Sequence, residues 1–248
     1  MTTAILSALP EEQEGLAALM GDARTVRHAG RDFHLGLWQG SPVVFALSRI
    51  GKVAAATTAA ALIERFGVQR IVFTGVAGGL HPDVQVGDTV VASEFLQHDM
   101  DASPLFPRHE IPLYGLSRFA ADMALGMRLF EASTEDGAGD LLDTATKARF
   151  GLHRMRVHRG LLVSGDRFVS SASEVQALRS ALPEALACDM EGAAVAQVCH
   201  DYGVPFAAVR HISDRADDAA HVDFPAYLKE VAALQARAVI TRFLRVQP

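Results

Sequence analysis

Only two cysteines, Cys188 and Cys199, occur in the 248 residues, too few for a disulfide framework. The expectation is two free thiols in a cytoplasmic protein. No run of Lys or Arg is present, and the formal net charge is −6, so the electrostatic footprint of a nucleic-acid binder is missing. No apolar run approaches the roughly 20 residues of a membrane span. The opening MTTAILSALPEE has neither the basic start nor the long apolar region of a secretion signal. Repeats, low-complexity tracts and linker-like stretches are absent too, and one domain over residues 1–248 is expected. Half of the residues are hydrophobic and 21% are charged, a balance that argues against disorder, and the net negative charge points to a neutral or cationic small molecule as partner.

The most informative stretch runs from Leu186 to Asp218, LACDMEGAAVAQVCHDYGVPFAAVRHISDRADD. A short apolar run stops at Asp189-Met190-Glu191. The alanine-rich segment Gly192–Tyr202 reads as a helix, with Gly203 placed for a left-handed cap and Pro205 barring continuation. Phe206–Val209 then reads as a buried strand ending in Arg210-His211-Ile212-Ser213-Asp214. A β-α-β unit of this kind predicts two parallel strands whose carboxyl ends share one sheet edge, where ligands bind in open α/β sheets. Asp189 or Glu191 alone reads as a helix cap. Three carboxylates and a guanidinium gathered at strand ends are costly to desolvate unless they meet one another or a ligand.

Other segments add candidates. Thr3–Leu9 reads as a strand, followed by a helix beginning at Pro10-Glu11-Glu12, with acids in its first turn. Arg27–Leu35, Leu37–Trp38 and Pro42–Ser48 read as antiparallel strands. Ile50-Gly51-Lys52 leads into a helix over Val53–Phe66. The strand Arg70–Thr74 opens into Gly75-Val76-Ala77-Gly78-Gly79, whose glycines let backbone approach a ligand, although the spacing is neither a dinucleotide fingerprint nor a P-loop. His98-Asp99-Met100-Asp101 has metal-ligand residue types, but no second His/Asp pair accompanies it, and a hydrogen-bonded strand end is expected. Ala102–Tyr114, with three prolines, predicts an irregular apolar loop packed on its own core or on a neighbouring subunit. Leu116–Ala132 reads as an amphipathic helix and 133–140 as a surface loop. His158–Val163 is a strand ending near Phe168, an aromatic suited to stacking on a planar base or to core packing. Ser173–Ser180 and Ala226–Phe243 read as helices, with Phe224 available to close a pocket.

The segments LSRIGKVAAA, TGVAGGL, VSGDRF, DMEGAAVAQVC and VRHISDRAD resemble the bacterial 5′-methylthioadenosine/S-adenosylhomocysteine nucleosidases, within the nucleoside phosphorylase family. The resemblance runs from Ile5 to about Leu244 and is weakest over 115–152. It implies an α/β fold, a single three-layer α/β/α domain with a central mixed sheet. It implies that Glu12 activates water and Asp214 protonates the leaving adenine. Glu191 would hold the ribose hydroxyls, Met190 would pack on the sugar, and Arg210 would help order Glu12 and the water. Phe168 would stack on the base, Val169 would read its edge through backbone, and Ser213 would position Asp214. Ile50 and Phe224 would line the alkylthio end, with Val76 and Ala77 in the glycine-rich loop. It further implies no metal or organic cofactor, and a homodimer in which the loop over 102–114 approaches the partner's site.

Two departures stand out: Val76, where the family often has Ser or Thr, and His211, where a small residue is common. They keep a related substrate such as futalosine open. Leu9-Pro10-Glu11-Glu12 would repel phosphate, favouring hydrolysis over phosphorolysis. A nucleoside-binding regulatory protein is the alternative of another class; the joint presence of Glu12 and Asp214 weighs against it, since binding needs no acid and base.

Overall fold

The structure is a computed structural model and describes residues 1–135, 142–152, 154–215 and 220–245. Among these residues ten strands form one mixed sheet. They are β1 (Thr3–Ser7), β2 (Gly21–His28), β3 (Arg31–Trp38), β4 (Ser41–Leu47) and β5 (Arg70–Gly79), then β6 (Thr89–Gln97), β7 (Arg118–Ala120), β8 (Val157–Ser164), β9 (Ala185–Asp189) and β10 (Phe206–Asp214). The order is β10-β6-β8-β9-β5-β1-β4-β3-β2, with β7 on β6. A further pairing of β10 with β5 closes five strands into a ring of hydrogen-bonded neighbours.

That ring corrects one expectation. β9 is not parallel to β10: it runs antiparallel to β5, which is parallel to β10. The two strands are not neighbours but lie on opposite sides of β5. Their ends nevertheless meet, because Gly78 of β5 is in register with Cys188 on one side and with Asp214 on the other.

Helices cover both faces. They are α1 (Lys52–Phe66), α2 (Met123–Thr134), α3 (Thr144–Phe150), α4 (Ala172–Ala181), α5 (Gly192–Tyr202), α6 (Ala220–Tyr227) and α7 (Ala233–Arg245), the last two joined by a π-turn over Leu228–Ala232. On one face α1 and α5 share a cluster in which Ala55, Ala59 and Leu62 are buried with Ala193, Ala196 and Cys199. The small side chains let the two helices approach each other over the sheet. On the other face α2 and α7 bury Leu125, Leu129, Val239, Ile240 and Phe243. Each of these larger side chains contributes about 1.5–3 kcal/mol by leaving water.

Elsewhere local chemistry refines the boundaries. The expected strand Arg27–Leu35 is a hairpin, because Ala29 (φ 46°) and Gly30 (φ 73°) turn the chain between β2 and β3. The helix expected from Pro10 is a single 3₁₀ turn, Pro10–Gln13, with Gly15 at φ 74° soon after. Leu116–Ala132 divides into β7, recruited by β6, and α2, capped where Asp122 accepts the Leu125 amide at 2.8 Å. Of the loop expected over 133–140, residues 133 and 134 belong to α2 and 136–140 lie outside the described residues. The final helical segment begins at Ala220, upstream of the expected Ala226, and takes in Phe224 and Pro225.

Candidate active site

Glu12 is placed by the chain reversal at the end of β1. Leu9 is extended and Pro10 fixes the first position of the 3₁₀ turn, so the Glu12 side chain folds back over the strand end. Its Oε2 accepts the amides of Ala8 (2.8 Å) and Leu9 (2.9 Å), and its Oε1 accepts that of Val76 (3.1 Å). The carboxylate therefore staples the β1 end to the glycine-rich end of β5. Burial pushes its pKa up, while these amides and the charge of Arg210 pull it down; burial is the larger effect.

Behind the cleft lies a buried ion pair. Arg210, 1% exposed, donates Nε (2.9 Å) to Asp189 Oδ2 and holds Nη2 2.8 Å from the same oxygen. Its Nη1 donates to the carbonyls of Phe73 and Val209, both at 3.1 Å, and the guanidinium lies 4.1 Å from the Phe73 ring centroid. Asp189 also accepts the Ser164 hydroxyl and the Gly192 amide at the start of α5. A Cβ on Gly192 would stand 2.9 Å from Asp189 Oδ2, so only glycine leaves this carboxylate room. Asp189 thus caps the helix and neutralises Arg210.

Glu191 is the N-cap residue of α5 through its main-chain carbonyl, but its side chain caps nothing and turns to the cleft. Its Oε1 accepts the amide of Gly51 from across the cleft at 2.8 Å. Burial, then the nearby Asp189 charge, pushes its pKa up to about 8. Ser213 Oγ donates to Asp214 Oδ2 at 2.7 Å, orienting that carboxyl.

These groups border one cleft of about 130 Å³ that opens to solvent. Glu12, Asp189, Glu191 and Asp214 supply its acidic lining, and Val76, Ala77, Met190 and Ser213 its walls. Ile50, Phe168, Val169 and Phe224 lie along it as well. Phe168 and Phe224 meet edge to face at 5.9 Å, and Phe168 is 46% exposed. Arg210 is the one expected site residue outside the lining; its guanidinium is turned to Asp189. His211 is buried outside the lining, with Nδ1 3.1 Å from Thr89 Oγ1, and burial lowers its pKa to about 3.

Sequence reading passed over several participants. Ala8, Leu9, Gly78 and Cys188 also line the cleft, and the Gly51 amide holds Glu191. The segment 98–101 has a clamping role. Asp99 accepts Lys52 Nζ (2.6 Å) and the Asp166 amide (2.9 Å), while Asp166 accepts the Lys52 amide (2.7 Å). This triad ties the start of α1 to the loop carrying Phe168. Among the described residues no group of three or more His, Cys, Asp or Glu is arranged to hold a metal ion.

The model of the phosphorylase superfamily matches residues 2–245. A 5′-methylthioadenosine/S-adenosylhomocysteine nucleosidase of Shewanella baltica is 33% identical over all of this chain and 98% of its own. The Neisseria meningitidis nucleosidase of that name, solved in complex with methylthio-immucillin-A, has 34% identity, TM-score 0.86 and 99% coverage of both chains. Futalosine hydrolase of Helicobacter pylori has 32% identity and TM-score 0.83, covering 98% of this chain and 97% of its own. With its mixed sheet, two helical faces and acid-lined cleft, the chain belongs to the phosphorylase superfamily and, within it, to the 5′-methylthioadenosine/S-adenosylhomocysteine nucleosidase family of N-glycosidic hydrolases.

Proposed function

We propose that this protein hydrolyses the N-glycosidic bond of 5′-methylthioadenosine and S-adenosylhomocysteine, releasing adenine and the thioribose product. The observation that carries this reading is the sharing of one cleft by Glu12, held by three main-chain amides, and Asp214, held by Ser213. Glu12 takes a proton from the attacking water, whose oxygen bonds to C1′. Asp214 gives a proton to N7 as the C1′–N9 bond breaks. Glu191 binds the ribose hydroxyls, and the carboxylates of the cleft stabilise positive charge developing on the sugar. Phe168 stacks on adenine with Val169 at its edge, Met190 packs on the sugar, and Ile50 and Phe224 face the 5′ thioether. Arg210 acts on Glu12 through charge while pairing with Asp189.

Hydrolysis is favoured over phosphorolysis by charge. Four acids line the cleft, and Arg167, the one cation among the described lining residues, is bonded to Glu174. Among the described residues that line the cleft itself, a phosphate would meet no unengaged cation. The protein is further proposed to act as one cytoplasmic domain and as a homodimer. Exposed apolar side chains at Leu105 (85%), Leu113 (90%) and Met123 (72%) support the dimer.

The test is adenine release from methylthioadenosine with and without phosphate. Release of free methylthioribose without phosphate is expected. Strict phosphate dependence would replace the reading with a phosphorylase. Release of the free base from futalosine, with none from methylthioadenosine, would move the substrate to that nucleoside.

A further inference from the structure

A second groove of about 530 Å³ opens beside the cleft and shares Ala8, Leu9 and Ile50 with it. Its lining carries Arg27, Arg31 and Arg49 against one acid, Asp32. That is an unusual density of positive charge for a chain of net charge −6. Asp32 is 3.5 Å from Arg27 and so is engaged with that arginine.

Arg31 and Arg49 have no such partner. Arg31 donates to the carbonyls of Ala29 (3.0 Å) and Ala54 (3.2 Å), and Arg49 to that of Gly30 (2.5 Å). Carbonyls orient guanidinium groups without cancelling their charge, and among the described residues neither arginine has a carboxylate within ion-pair distance. Burial, then the like charge of Arg49, lowers the pKa of Arg31. Arg49 also sits in the left-handed region at φ 67°, which is uncommon for a side chain of its size. Two like charges held together in a strained turn would be relieved by an anion.

Given the proposed function, on which this inference rests, the 5′ sulfur of a bound nucleoside lies at Ile50, where the groove begins. The carboxylate carbon of S-adenosylhomocysteine is four bonds beyond that sulfur, roughly 5 Å when extended. We propose that Arg31 and Arg49 form a carboxylate-binding subsite that makes the enzyme prefer nucleosides with a carboxylate-bearing 5′ substituent over methylthioadenosine. Guanidinium groups suit this role, since they present paired N–H donors to a planar carboxylate.

The full-length protein and its Arg31→Gln, Arg49→Gly and double variants should be assayed with three thioethers. These are S-adenosylhomocysteine, its decarboxylated analogue that keeps the amine, and methylthioadenosine. Glycine fits the left-handed turn at position 49, so that variant tests charge without adding strain. In the double variant the ratio of kcat/KM for S-adenosylhomocysteine to that for methylthioadenosine should fall about tenfold, through KM, and 0.5 M salt should compress the wild-type ratio. Arg49→Glu should shift preference toward the decarboxylated amine. An unchanged ratio in the double variant, or equal preference of the wild type for the acid and its decarboxylated analogue, would overturn the subsite. Futalosine separates the sources of the carboxylate: a matching loss there shows that an aromatic acid is read as well, and a loss confined to S-adenosylhomocysteine restricts the subsite to the amino acid. If no compound releases its base, the proposed hydrolysis fails. Calorimetric binding of S-adenosylhomocysteine and methylthioadenosine to the same variants then decides the subsite, a tenfold relative loss upholding it and equal affinities refuting it.

Discussion

Gly75→Ala is the most discriminating single change in the cleft. Gly75 lies on β5 in register with Arg210, and its φ is not positive, so alanine suits the backbone. The added Cβ, however, would stand 2.8 Å from Glu12 Oε1 and 3.2 Å from its Cδ, whereas ordinary contact begins near 3.4 Å. The carboxylate must therefore retreat by about 0.6 Å, the difference between these two distances. Retreat strains amide bonds that are now 2.8, 2.9 and 3.1 Å long. Folding is little affected, because the obstructed group is the end of a side chain. The loss of backbone freedom in the unfolded state offsets the contact by about 0.4–1 kcal/mol. For a chain of this size that keeps Tm within a few degrees. Catalysis is more sensitive, since displacements approaching 1 Å cost roughly 100-fold. The assay is kcat/KM for methylthioadenosine beside a thermal melt of the same preparation. A nearly unchanged Tm with activity reduced roughly 100-fold is expected. Wild-type kcat/KM would refute the placement of Glu12 as the base whose position sets the rate.

Asp214→Asn keeps the shape that Ser213 binds and should lower adenine release by about 10²–10⁴ while the fold is retained; Glu12→Gln should do the same. Wild-type turnover in either variant would send its role to another group. Arg210→Leu leaves Asp189 buried without its partner and should cost about 3–5 kcal/mol, read by urea unfolding. An unfolding curve unchanged by it would mean that the buried pair does not support the fold. Glu191, with a pKa near 8 in the folded protein against 4.5 otherwise, keeps a proton that the unfolded chain releases. The stability this confers is complete below about pH 4.5 and is lost as pH rises through 8, with Glu12 acting in the same direction. Glu191→Gln should flatten the fall in Tm across that window, and an unaltered slope would remove Glu191 as its source.

Much of this was legible from residue order. The run from Cys188 to Asp214 announced strand, helix and strand through small residues, Gly203 and Pro205, and each is there. The direction of β9 was not legible, because it depends on the ring through β5 and β8 rather than on its own residues. The same applies to β7: Arg118–Ala120 takes its strand character from pairing with Glu94–Leu96. The Ala29-Gly30 turn was marked by its glycine, but the polar alternation on both sides runs through it. In the cleft, acids and aromatics were visible as residue types. The amides of Ala8, Leu9, Gly51 and Val76 were not, since every residue but proline carries one.

The anchoring of Glu12 by main-chain amides bears on how this architecture diverges. A base held by side chains is lost when any of them mutates. Here Ala8, Leu9 and Val76 can exchange side chains and still present the same N–H groups. Inherited change can therefore remodel the rim and the neighbouring arginine groove while the backbone keeps Glu12, the proposed base, in place. New 5′ specificities are open to such a lineage by drift alone, with no intermediate that loses its chemistry.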